Sequence, residues 1–288
     1  MTAFERYRAS MWKVTAIPTI FRITCVIGLF ATCAACAFPV EGEFFSSRLN
    51  ERQSNRVMLI IFNHGYSPER ATAFKASFPP ILRMAEAQND DVVLFAQVRN
   101  TVSLHSADHA SFIESAVLRF HSQHKIPVEN IILAGQSCGG WGSLQAAAFR
   151  YPRIGGVIAF APTCHGQVIR QSAETKIRRY QEIGQLTERL RGPALIFLYE
   201  GDSYYELEDW RSFEVTARQF PQIRVVKLDK RAVLKACLSC VQDSHGAANR
   251  QEFADAYFQT LLQPFIESVR ASLRGREPEQ RLSGPGAS

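Results

Sequence analysis

Runs of unbroken apolar residues alternate along this chain with stretches whose apolar residues recur every three or four positions. The unbroken runs are "RVMLIIFNHG" (56–65), "DVVLFAQV" (91–98), "NIILAGQ" (130–136), "IGGVIAFAP" (154–162), "PALIFLYEG" (193–201) and "QIRVVKLD" (222–229). Continuous Val- and Ile-rich apolarity is what a strand buried on both faces requires, so these runs predict strands of a parallel sheet. Between them the helical period predicts helices over 68–87, 106–124, 138–149, 167–190 and 206–219, and a last long helix over 249–273. Strand and helix alternating through 56–273 predict one doubly wound α/β domain: a single, mostly parallel sheet with helices on both faces. The connection over 163–192 has room for one helix and a short link but not for a large lid. The closing stretch over 274–288, rich in Gly, Pro and charge, reads as a disordered tail.

The chain ahead of the first strand has a different character. Basic residues up to Arg22 precede the apolar run "ITCVIGLFATCAACAF", and a polar stretch follows it. A positive segment before an apolar run shorter than a membrane span is the layout of an export signal, expected over 1–36 with a linker over 37–55. Met11 is an alternative start. Ala34 and Ala35 ahead of Cys36 have the pattern of a lipid-attachment site, which makes Cys36 the candidate lipidated residue; plain cleavage near Ala37 is the alternative. The expected location is therefore outside the cytoplasm, either periplasmic, lipid-anchored to the envelope or secreted.

Charge changes the picture little. Of the formal +6, Arg6, Arg8, Lys13 and Arg22 against Glu5 put +3 in the export segment. The remainder is too small to point to a nucleic-acid partner. Among the seven cysteines, Cys25, Cys33 and Cys36 belong to that segment, leaving Cys138, Cys164, Cys237 and Cys240. An even number in an exported domain points to structural disulfides. Cys138 is a candidate partner for Cys164 or for the loop of Cys237 and Cys240. A zinc site built on Cys237 and Cys240 would need a second ligand pair, and no well-spaced one is present.

Ligands of an open α/β sheet bind beyond the carboxyl ends of its strands, so the residues that follow each strand are the informative ones. After the strand ending at 134 comes Gly135-Gln136-Ser137-Cys138-Gly139, a G-x-S-x-G sequence between strand and helix. A serine held at positive φ in so sharp a turn brings neighbouring backbone close, and Gly135 and Gly139 leave the space. Ser137 is the candidate nucleophile. After the first strand comes Asn63-His64-Gly65-Tyr66, and the amides of Tyr66 and Cys138 are the candidate oxyanion donors, with Gly65 shaping the turn. A serine needs a base, and the base needs a carboxylate. His245, in the loop before the last helix, and Asp202, just after the strand over 193–201, complete the order Ser…Asp…His; Glu200 is the alternative acid, and Asp243 lies close to His245 in sequence. The pattern leaves His105, His109, His121, His124 and His165 as surface or lining residues.

On "NHGY", "GQSCGG", the Gly-Asp pair at 201–202 and "SHG" at 244–246, the chain over 56–273 resembles the α/β-hydrolase family, and within it small dienelactone-hydrolase-like and secreted serine esterases. The resemblance implies a Ser-His-Asp mechanism through an acyl-enzyme, a small-molecule ester as substrate, and neither cofactor nor metal. Dienelactone hydrolases carry cysteine at the centre of the elbow, where this chain has Ser137, which favours a serine esterase. Peptidase and thioesterase activities fit the same fold, and a non-catalytic, lipid-anchored envelope protein is the reading from outside enzymology.

Overall fold

A computed structural model describes residues 40–46, 49, 56–66, 77–99 and 106–280. The expected export signal and Cys36 lie outside the described residues, as do His105, the first part of the helix expected over 68–87, and the end of the tail.

Seven strands form one sheet in the order β1-β3-β2-β4-β5-β6-β7: β1 Glu41–Phe44, β2 Met58–Asn63, β3 Val92–Val98, β4 Ile131–Gln136, β5 Gly156–Phe160, β6 Ala194–Tyr199 and β7 Ile223–Leu228. The six from β2 to β7 are the six apolar runs, and they pair in parallel. Every residue of β2, β5 and β6 is buried, the consequence of helices on both faces. Strand β7 departs from this pattern. It closes one edge of the sheet, with Arg224 and Lys227 exposed and Val225 and Val226 half-buried.

The other edge corrects the expected linker over 37–55. There β1 pairs antiparallel with β3, from Glu41 opposite Val98 to Phe44 opposite Phe95. Its sequence, EGEF, is exposed at every position, so nothing in its pattern announces burial, and the neighbouring backbone supplies the strand. Charged residues on so short an edge also discourage pairing with other chains.

The helices are α1 Pro80–Gln88, α2 Ser106–Gln123, α3 Cys138–Phe149, α4 Ala173–Arg189, α5 Arg211–Ala217, α6 Lys230–Ala236, α7 Gln251–Tyr257 and α8 Gln263–Gln280. Packing joins α2, α3, α4 and α5 in succession, and separately α1, α6 and α7, giving the two layers. Of the helix expected over 68–87, the described part is α1 from Pro80, preceded by non-helical residues 77–79; Pro80 at its first position has no N–H to leave unpaired. The one expected over 249–273 is two helices joined by a π turn, Phe258–Leu262, which turns Phe258, Leu261 and Leu262 inward. Helix α8 runs on to Gln280, into the stretch expected to be disordered. Helix α6 has no counterpart in the sequence reading. It is short, and it is set by Asp229, whose carboxylate accepts the Ala232 amide proton at 2.7 Å. Among the described residues, no helix is long and apolar enough to cross a membrane.

Among the described residues there are two disulfides, Cys138–Cys164 and Cys237–Cys240. The first follows from the pairing of β4 with β5, which sets Gln136 opposite Phe160 and brings the two following loops side by side. Its members are 26 residues apart, so it closes a long loop in the unfolded chain. Replacing both cysteines, Cys138→Ala with Cys164→Ala, is expected to cost about 3 kcal/mol in urea unfolding. The bridge between Cys237 and Cys240, only 3 apart, is expected to contribute less.

Candidate active site

The sheet order reverses at β2, which has β3 on one side and β4 on the other, so the crevice between the carboxyl ends of β2 and β4 is the natural place for a ligand. Parallel pairing sets Asn63 opposite Gly135. The loop His64–Tyr66 therefore stands beside the turn Gln136–Cys138.

Ser137 occupies that turn with φ 55° and ψ −127°, at the N-cap of α3. Its amide donates to the Phe160 carbonyl at 3.0 Å, and its own carbonyl accepts the Trp141 amide at 2.9 Å. The cost of positive φ in a non-glycine residue is thus carried by backbone bonds on both sides. The two glycines leave room as the sequence reading required: a Cβ on Gly135 would overlap the backbone of Gly139, and one on Gly139 the carbonyls of Asn63 and His64. Gly65 presses on the serine itself, since a Cβ there would lie 3.0 Å from Ser137 Cβ and 3.6 Å from Oγ.

Asp202 and His245 meet. His245 Nδ1 lies 2.8 Å from Asp202 Oδ2, and Asp202 Oδ1 accepts the Tyr204 amide proton at 2.8 Å. The carboxylate is buried, and burial raises its pKa although the His245 hydrogen bond and charge pull it down. Tyr204 lies over the imidazole, ring centroids 4.2 Å apart. The imidazole is thereby held on an edge by a carboxylate and on a face by a phenol. Glu200 points elsewhere, accepting the Lys230 amide proton at 2.6 Å near the start of α6.

Two further residues, neither assigned a role from sequence, hold the histidine loop. Asp243 accepts from the Ser203 amide at 3.1 Å, the Ser203 hydroxyl at 2.7 Å and the His245 amide at 3.0 Å, which clamps the loop of His245 to the loop of Asp202. Burial opposes ionisation of Asp243, but these donors hold its pKa below the ordinary value. Gln136, next to Ser137, donates through Nε2 to the His245 carbonyl at 2.9 Å. A sequence signal for Asp243 existed in Asp-x-His, an acid two residues before a loop histidine.

Ser137 and His245 line one cleft of about 750 Å³, together with Gly65, Tyr66, Cys138 and His165. Among the described residues, no hydrogen bond joins Ser137 Oγ to the imidazole. Such bonds are commonly long before a substrate enters. His165 is pinned in the wall, its Nε2 3.4 Å from a Glu182 oxygen that also accepts the Trp141 indole proton at 2.9 Å. His109, expected as a surface or lining residue, is fully buried and meets Arg99 Nη1. It also lies within 4.8 Å of both sulfurs of Cys138 and Cys164, but the sulfurs are bonded to each other and offer no thiolates to a metal.

His64 supports the Gly65 loop from below. Its Nε2 accepts the Arg99 amide proton at 3.0 Å, leaving Nδ1 as the donor to the Gly65 carbonyl at 2.6 Å. Burial first, and then the Arg99 charge, lower its pKa from 6.5 to about 3. Between those values the unfolded chain binds a proton that the folded chain refuses, so stability falls with falling pH. From pH 7 to 5 this group is expected to remove about 2 kcal/mol in urea unfolding. A His64→Asn variant should show a flatter pH dependence, and an unaltered one would refute the assignment.

The sequence matches no protein-family model and no curated protein. Solved structures do match. Est1E from Butyrivibrio proteoclasticus, solved with ferulic acid, superposes with a TM-score of 0.52 at 15% identity, over 78% of this chain and 94% of that one.

The chain has the α/β-hydrolase fold.

A prolyl endopeptidase matches this chain with a TM-score of 0.53 at 13% identity, over 81% of this chain but only 39% of its own. At such identities the likeness reaches the fold and stops short of any branch within it, the dienelactone-hydrolase-like branch included. In α/β-hydrolase terms, Ser137 stands at the strand–helix elbow, Asp202 after β6 and His245 after β7.

Proposed function

We propose that this chain of α/β-hydrolase fold is a serine hydrolase acting on carboxylic esters, with Ser137 as nucleophile, His245 as general base and acid, and Asp202 as the carboxylate that orients it. One observation carries the reading: a serine at φ 55° on the elbow shares a cleft with a histidine whose far nitrogen is 2.8 Å from a buried carboxylate. Asp202 fixes the proton on Nδ1, which frees Nε2 to accept. As Ser137 Oγ attacks the ester carbonyl carbon, its proton passes to Nε2 and the carbonyl π pair moves to oxygen. The amides of Cys138, at the start of α3, and of Tyr66 meet that oxyanion. Collapse expels the alcohol, which takes the proton from His245, and water repeats the sequence on the acyl-enzyme.

The connection from β5 to β6 holds only a 3₁₀ turn, Val168–Arg170, and α4, both contributing wall residues, and this leaves little for a large lid, which favours an open-site esterase over a lidded lipase. Est1E, solved with ferulic acid, is one protein of this fold that binds a small aromatic acid, a ligand of the size an ester's acyl group would have. Two disulfides agree with the proposed export to an oxidising compartment, with attachment through Cys36 as its anchored form. The test is release of p-nitrophenol from its acetate and butyrate esters, with labelling by a fluorophosphonate. If wild type shows neither, or if both persist in Ser137→Ala, the proposal fails.

A further inference from the structure

The cleft around Ser137 is charged in one sense. Apart from His245 and His165, the only ionisable side chains of formal charge among its described lining residues are Arg170 and Arg178; no carboxylate lines it. Arg170 ends the 3₁₀ turn Val168–Arg170 and is exposed, whereas Arg178 lies on α4 and is half-buried.

Neither guanidinium has a hydrogen bond or ion pair among the described residues. The contrast is Arg179, the next residue of α4, which is buried and paired: Nη1 sits 2.8 Å from Asp209 and 3.1 Å from the Tyr204 carbonyl, and Nη2 meets Gln171. Among the described residues, the protein therefore supplies a counter-charge to the arginine that anchors α4 and none to the two that line the cleft. Glu174, one turn before Arg178, is exposed, lies outside the lining and forms no ion pair within 4.0 Å. The first turn of α4, with Thr175 in the wall, lies between the two arginines in sequence, and its amide dipole has the same sign.

We propose that Arg170 and Arg178 form a subsite for an anionic group of the substrate, so that the preferred esters carry a carboxylate or similar anion apart from the scissile bond. This rests on the hydrolase reading and adds the substrate class to it. A concave wall of one sign concentrates anions near the nucleophile, and two partly exposed cations do so most strongly at low salt.

The test uses the full chain and matched ester pairs. On the acyl side, mono-p-nitrophenyl glutarate is compared with p-nitrophenyl valerate; on the alcohol side, 4-acetoxybenzoate is compared with its methyl ester. Wild type is expected to favour the anionic member of at least one pair tenfold in kcat/KM, and that ratio is expected to fall at least fivefold in the double variant Arg170→Gln with Arg178→Gln. It should also fall with added salt in wild type only. A ratio that drops less than fivefold, or a preference for the neutral member of both pairs, overturns the subsite. Equilibrium binding of glutarate, against its neutral diamide, gives a reading without turnover. Weaker glutarate binding by the double variant supports the subsite even if no ester is cleaved, in which case it is the hydrolase reading that has failed; equal binding overturns the subsite itself.

Discussion

Ser137→Ala is expected to lower kcat on p-nitrophenyl butyrate by about 10⁴-fold or more while leaving the fold intact. The hydroxyl makes no hydrogen bond among the described residues, so its removal orphans nothing inside the protein. The backbone of the elbow is held by other atoms, the Ser137 amide on Phe160 and its carbonyl on Trp141, and alanine keeps both bonds. Alanine at φ 55° bears much the same backbone strain as serine. A thermal midpoint close to that of wild type, with turnover near background, is the expected pair of results. Loss of activity together with loss of the folded state would instead assign the serine a structural role. Some acceleration over water should survive the substitution, because oxyanion donors and substrate binding act without the nucleophile.

Asp202→Asn is the second large effect, about 10⁴-fold in kcat. The carboxylate accepts from His245 Nδ1 at 2.8 Å and so places the proton of the neutral ring on Nδ1, leaving Nε2 as its acceptor. An asparagine amide can present its NH₂ to Nδ1 instead, which moves the ring proton to Nε2 and leaves no acceptor for the serine proton. The Tyr204 amide, donating to Oδ1 at 2.8 Å, still finds a carbonyl oxygen if the amide turns that way, so the loop retains its anchor. Stability is expected to hold or rise. Burial is the largest influence on Asp202 and disfavours its charge, and a neutral isostere removes that cost. A fall in kcat with an unchanged or higher thermal midpoint is the diagnostic combination; a modest fall in kcat would remove Asp202 from the proposed triad.

The parts of the molecule legible in the sequence are those whose physical demands are local. Six strands could be read because burial on both faces forces a continuous apolar run, and each run pairs as a parallel strand within one or two residues of its expected ends. The elbow was legible for a related reason: a serine at positive φ needs glycine two places before and after, whatever the rest of the chain does. The clashes that a Cβ would meet at Gly135 and Gly139 are the structural side of that demand.

What was hidden depends on neighbours distant in sequence. The exposed strand EGEF is a strand because β3 offers it an unpaired edge. His109 looked like a polar residue on a helix face, yet that face packs inward beside Arg99 and the Cys138–Cys164 bridge. Asp243 and Gln136 bind the loops of Asp202, His245 and Ser137 to one another; Asp243 is marked locally only by its place two residues before His245, and nothing local to Gln136 signals its contact.

The sequence by itself determined the fold class, the turn that exposes Ser137, and an acid and base in an order the fold can use, because strand burial and backbone sterics are written in runs of a few residues. Only the tertiary structure decided which carboxylate meets His245, which cysteines pair, and which arginines face the cleft unpaired. Those outcomes depend on strand order and loop apposition, and hydrogen bonds, disulfides and uncompensated charges exist only once residues far apart in the chain have been brought within a few ångströms.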